Sequence, residues 1–141
     1  MARQAEAEWQ GDLKGGNGRV KLGSGAYEGN YSFASRFENG TGANPEELVG
    51  AALAGCYSMA LANSLASAGF TATSVHTSAD VHLAKDDKGF LINLIELTVA
   101  AVVPSIDEAT FQEHVEKTKV GCIISRALGS VPGMTVKATL K

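Results

Sequence analysis

Cysteine is scarce in this chain: two among 141 residues, Cys56 and Cys122. That excludes a scaffold stapled by several disulfides and leaves one thiol pair at most. Clusters of basic residues are absent. Twelve Lys and Arg lie scattered against 15 Asp and Glu, for a net charge of −3, so the chain lacks the electrostatic footprint of a nucleic-acid binder. The polar start, Met1-Ala-Arg-Gln-Ala-Glu-Ala-Glu, lacks the apolar run of a secretory signal. The expectation is a cytoplasmic protein, where thiols stay reduced unless they do redox work; the sequons at Asn30 and Asn39 then carry no weight. No Gly-Lys-Ser/Thr phosphate loop follows the early glycines, and no Gly-x-Ser-x-Gly elbow occurs.

What is present describes one globular domain over residues 1–141. The length suits about one domain, which can bury about two-thirds of its unfolded surface without staples. Apolar residues make up 45% and charged residues 19%, neither disordered nor supercharged. Nine of the 16 glycines fall before residue 43, in clusters that read as turns between short strands at 5–10, 19–22 and 31–37.

Asn44-Pro45-Glu46-Glu47 reads as a helix start: an N-cap, a first-turn proline and acids facing the positive end of the dipole. The helix runs to about residue 68, roughly 36 Å for about 24 residues, with Gly69 as its C-cap. Residues 48–79 contain no Asp, Glu, Lys or Arg. The Ala-rich composition and the interruptions at Tyr57-Ser58, Asn63-Ser64 and Gly69 predict a buried helix followed by a strand, not a membrane span.

Beyond Gly69 the period becomes two. Val75, Thr77, Ala79, Val81 and Leu83 alternate with His76, Ser78, Asp80 and His82. Asp86-Asp87-Lys88-Gly89 signals a hairpin turn, and 90–103 its partner strand, ending before Pro104. Ser105 or Asp107 caps an amphipathic helix to about 119, Cys122 opens a short helix over 123–128, and 134–140 closes the chain as a strand. The order predicts an α+β fold with antiparallel sheet.

Four residues stand out for chemistry. Cys56 lies mid-helix among apolar neighbours; position alone reads as a small core residue. Its reactive alternative requires a cation brought in by folding, because apolar surroundings raise a thiol pKa. Cys122 heads a short helix and is either a second core residue or the resolving partner of Cys56; a disulfide requires Cα atoms within about 7 Å. Arg36 is a solvated strand-end charge or the required cation. Glu46 is free to brace an arginine, because Glu47 suffices for the helix cap. The three histidines, His76, His82 and His114, form no metal-ligand pattern with the cysteines.

Arg36-Phe37-Glu38, Asn44-Pro45-Glu46-Glu47-Leu48-Val49-Gly50-Ala51-Ala52-Leu53-Ala54-Gly55-Cys56-Tyr57-Ser58-Met59, the Trp9-Gln-Gly-Asp-Leu-Lys start, Ala68-Gly69-Phe70, Ser78-Ala79-Asp80-Val81 and Gly121-Cys122 together resemble the OsmC/Ohr family of thiol peroxidases, on its OsmC branch. The likeness covers nearly the whole chain. It implies an intertwined homodimer, with long buried central helices, outer antiparallel sheets and active sites shared between subunits. It implies reduction of organic hydroperoxides by two cysteines, Cys56 as peroxidatic and Cys122 as resolving residue. Arg36 would activate the thiolate and Glu46 would orient Arg36. The partners implied are an organic hydroperoxide and a dithiol reductant, such as a lipoylated protein; no metal, haem, flavin, nucleic acid or membrane is called for. Where many relatives carry proline after the second cysteine, this chain has Ile123. Two other readings are a non-catalytic redox-sensing or binding dimer and an acyl hydrolase with Cys56 as nucleophile, the latter needing a general base.

Overall fold

The computed structural model describes residues 1–141 as two compact units, Met1–Leu48 and Val49–Lys141. In the first, strands β1 (Ala5–Gln10), β2 (Asn17–Leu22) and β3 (Glu28–Tyr31) form an antiparallel meander. Gly18 faces Trp9 on β1 and Tyr31 on β3, whose rings pack with centroids 5.5 Å apart. A Cβ at Gly18 would lie 2.5 Å from the Tyr31 ring and 2.8 Å from that of Trp9. This glycine therefore serves ring packing within a strand, while the turn itself spans residues 11–16.

The strand expected at 31–37 is not formed. β3 ends at Tyr31, and Phe33–Phe37 is a short helix, α1. Ser32 is the reason: its hydroxyl accepts from the Ser35 backbone at 3.1 Å, and Ser35 Oγ accepts from the Ser32 backbone at 2.9 Å. This reciprocal capping box starts a helix, and Phe33 and Phe37, four apart, pack their rings with centroids 5.1 Å apart on one face of it. Ser35 Oγ also donates to Ala43 O at 2.8 Å, and Ala43 N to Asn30 O at 2.9 Å, which ties α1 to the approach to the long helix.

That helix, α2 (Pro45–Ser67), begins and ends as its caps require. Asn44 Oδ1 accepts from Glu47 N at 2.7 Å, and Gly69 takes φ +93°. By length and composition alone α2 could cross a membrane; its contacts are those of a core helix. Gly50, Leu53, Tyr57, Leu61 and Leu65 form one buried face at helical spacing. Gly50 lets the helix approach β4, where an added Cβ would meet Val81 at 3.3 Å. Burial all round, expected from the composition, reaches only this face in the single chain. Ala51, Ala52, Gly55 and Met59 on the opposite side are exposed, Met59 by 77%.

In the second unit β4 (Ser74–Asp86) and β5 (Gly89–Val102) make the expected hairpin. α3 (Glu108–Gly121), capped by Asp107, and α4 (Ile123–Ala127) follow, then β6 (Gly133–Leu140). β6 pairs with β5 in parallel, not antiparallel: two helices intervene, and a crossover of that length lets the chain return in the same direction. Ile95, Leu97, Val99 and Ala101 of β5 pack with Leu53, Tyr57, Leu61 and Leu65 of α2 and with Phe111 and Val115 of α3 in one core. Tyr57 donates its hydroxyl to Val115 O at 2.8 Å, and Ser58 Oγ to Thr77 Oγ1 at 2.8 Å.

Candidate active site

The packing of α2 brings together two residues 66 apart in sequence. Cys56 Sγ and Cys122 Sγ lie 2.9 Å apart. Cys122 is 2% exposed and joins the core; Cys56 packs against it half-buried. Cys122 is at once the C-cap of α3, its N–H donating to Thr118 O at 2.9 Å, and the N-cap of α4. The separation is short enough for the sulfurs to share one proton, and small movements would allow a bond.

The two thiols differ in ionisation. Burial, and then the neighbouring Cys122 sulfur, push the Cys56 thiol up; backbone N–H groups of Ile124 and Ile123 act the other way. Burial also pushes Cys122 up, but hydrogen bonding from Cys56 and from the Ser125 backbone, together with the nearby Ser125 hydroxyl, outweighs it, and its thiol lies below the ordinary value. A Cys56 thiolate therefore calls for a cation from elsewhere, as its apolar surroundings led us to expect.

Arg36 and Glu46 form a separate constellation in the first unit. Arg36 Nη2 donates to Glu46 Oε1 at 2.7 Å, and Nε faces both carboxylate oxygens at 3.2 and 3.3 Å. The Glu46 side chain is 11% exposed and that of Arg36 38%. The Arg36 guanidinium also lies 5.2 Å from the Phe37 ring centroid. Glu46 thus holds Arg36 with the forked geometry that a carboxylate and a guanidinium share. Arg36 sits on a helix rather than at a strand end, because of the Ser32 cap.

His76 and His82 are on the exposed side of β4, with His82 Nε2 2.8 Å from Glu96 Oε2. His114 Nδ1 lies 2.7 Å from Ser64 Oγ. One residue that the sequence reading passed over stands out: Ser125, on the first turn of α4, is buried, and its hydroxyl has no hydrogen-bond partner. Its spacing of three from an N-cap residue was the available signal.

The comparisons with known proteins agree on one family. The OsmC-like protein family matches residues 38–137. Peroxiredoxin OsmC of Escherichia coli is 48% identical over 127 residues, 89% of each chain. An organic hydroperoxide resistance protein from Elizabethkingia anophelis superposes with a TM-score of 0.70 at 25% identity, over 100% of this chain and 97% of that one. An OsmC-like protein of unknown function from Vibrio cholerae shares the fold, with a TM-score of 0.77 at 14% identity over 99% of both chains. The α+β fold, the thiol pair and these matches together show that the chain belongs to the OsmC family.

Proposed function

We propose that this protein is a thiol-dependent organic hydroperoxide reductase that works through two cysteines. The observation that carries the reading is the 2.9 Å approach of Cys56 Sγ to Cys122 Sγ. The similarity to a peroxiredoxin and to hydroperoxide resistance proteins supports it.

In the first step the Cys56 thiolate attacks the distal oxygen of the hydroperoxide. The O–O bond breaks, sulfur is oxidised to a sulfenic acid, and the alkoxide leaves as alcohol after taking a proton. In the second, Cys122 sulfur attacks the Cys56 sulfenic sulfur. An S–S bond forms, the S–O bond breaks, and hydroxide leaves as water. A dithiol, for instance that of a lipoylated protein, then reduces the disulfide by exchange and is itself oxidised. Arg36 supplies positive charge for the Cys56 thiolate and for the peroxide oxygens, and Glu46 fixes its guanidinium. Apolar side chains around Cys56 favour alkyl or fatty hydroperoxides over hydrogen peroxide. The working form is an intertwined homodimer, cytoplasmic, with each active site shared between subunits and both units acting as one domain. The exposed apolar face of α2 at Ala51, Ala52, Gly55 and Met59 supports that assembly.

The test is turnover of cumene hydroperoxide and of hydrogen peroxide with a dithiol reductant, for wild type and Cys56→Ser. Cys56-dependent turnover that prefers the organic peroxide is expected. Equal activity of the two proteins would overturn the reading, and thioester cleavage dependent on Cys56 would point to an acyl hydrolase instead.

A further inference from the structure

Ser125 is 6% exposed, and its Oγ is a buried polar atom without a hydrogen-bond partner. A buried hydroxyl in that state costs stability, and such an atom in a native fold calls for a physical explanation. The same fold shows what a serine at this position ordinarily does. In α1, Ser35 stands three residues after the capping Ser32 and accepts from its backbone N–H. In α4, Ser125 stands three residues after Cys122, but the Cys122 N–H is already committed to Thr118 O at the end of α3. The capping role is closed to Ser125. Of the groups on Cys122, the sulfur interacts with the Ser125 side chain. The hydroxyl is near enough to favour a charge on that sulfur, while no aligned bond to it exists in this state.

We infer that Ser125 is a positioning residue for the resolving cysteine: its hydroxyl turns to donate to Cys122 Sγ when that sulfur carries negative charge. Such charge arises twice in the cycle proposed above, on whose peroxidase reading the purpose of this contact rests. Cys122 Sγ is charged as it attacks the Cys56 sulfenic acid. It is charged again if it leaves when the dithiol attacks the Cys56 side of the disulfide. Neither step alters the covalent structure of Ser125; a rotation about its Cα–Cβ bond supplies one charge-assisted hydrogen bond. The other ionisable groups that interact with this sulfur are Cys56 and Tyr57. Neither replaces the hydroxyl: Cys56 is the reaction partner, and Tyr57 donates its proton to Val115 O.

The idea sets stability against rate. Ser125→Ala removes an unpartnered hydroxyl and leaves the fold at least as heat-stable as wild type. It also slows the resolving step by roughly tenfold, the effect of one hydrogen bond to a charged group. Two measurements on the full chain test this. The first is the ultraviolet thiolate titration of Cys122 in a Cys56→Ser background, with and without Ser125→Ala. The alanine is expected to move the titration to higher pH, and Ser125→Thr to restore it. The second is the lifetime of the Cys56 sulfenic acid after one equivalent of cumene hydroperoxide, read by dimedone trapping at timed intervals. The alanine is expected to lengthen it. An unchanged Cys122 titration, or a sulfenic acid that disappears as fast as in wild type, would overturn the inference. So would a loss of heat stability with both chemical readouts unmoved, which would make Ser125 purely structural. The titration needs no peroxide, so its outcome is separate from that of the peroxidase reading. A wild type that forms no sulfenic acid would sink the peroxidase reading, and with it the purpose assigned to Ser125.

Discussion

Arg36 and Glu46, ten residues apart, are joined by a forked ion pair in which the carboxylate is the more buried partner. The capping box of Ser32 and Ser35 sets the turn on which Arg36 stands, and the first turn of α2 presents Glu46 to it. The pair holds one guanidinium at a fixed angle, so its shape matters as well as its charge.

Arg36→Lys keeps the charge and loses the fork. It is expected to lower kcat/KM for cumene hydroperoxide by at least about tenfold, because a point charge on a flexible stem does not keep the orientation. Glu46→Gln keeps the size and frees the arginine, and a loss of similar order is expected. Steady-state kinetics with a dithiol reductant check both; a Lys variant as active as wild type would remove the geometric role of Arg36.

Tyr57 supplies a stability prediction. Its hydroxyl donates to Val115 O from a fully buried ring. Tyr57→Phe should cost about 1 kcal/mol at neutral pH, the net value of one such bond. Burial first, and then negative charge at Glu116 and Cys122, hold the phenol above its ordinary value of 10.0. A raised value means that the folded state keeps the proton after the unfolded chain would lose it. The stability this contributes is full below pH 10 and declines as pH rises through the folded value. Thermal unfolding from about pH 9 to about pH 11 should fall more steeply for wild type than for Tyr57→Phe; parallel curves would contradict this.

Gly18 admits a direct steric test. Gly18→Ala would put a methyl group into the contact of Trp9 with Tyr31 and is expected to destabilise the β1–β3 sheet by about 1–3 kcal/mol. Trp9 is the chain's single tryptophan, so its fluorescence reports the displacement without interference. An unshifted spectrum with unchanged unfolding would refute the packing described for this glycine.

Met59 tests the assembly. Met59→Glu places a charge on the exposed apolar side of α2. Sedimentation of wild type should give twice the chain mass of 14.6 kDa, and the variant should shift toward the single chain. A wild type that sediments as a monomer would exclude the dimer.

The fold was legible where the signals were local. Asn44, Gly69, the turn after Asp86 and the Asp107 cap each mark an element end by chemistry contained within a few residues. Two elements read differently. The glycine turns suggest a strand over 31–37, but the hydroxyl pair Ser32 and Ser35 starts a helix there. The direction of β6 depends on where two helices set it down against β5, which no periodicity within β6 encodes. The site divides likewise. The helix-start motif marks Glu46, and Arg36 and Cys56 are conspicuous by type, but the meeting of Cys56 with Cys122 follows from the packing of α2 with the β5 core. Ser125 was invisible because its interest lies in a bond it does not make.

The distance in sequence between the two sulfurs has a mechanical meaning. A bond from Cys56 to Cys122 closes a loop of 66 residues that contains the rest of α2, the β4–β5 hairpin and all of α3. In the chain-entropy account such a closure restrains the unfolded chain by about 4 kcal/mol. In the proposed cycle, oxidation would act as a belt around the second unit: the bridged form is expected to resist heat and proteases better than the reduced form with its two free thiols, and each reduction unbuckles it.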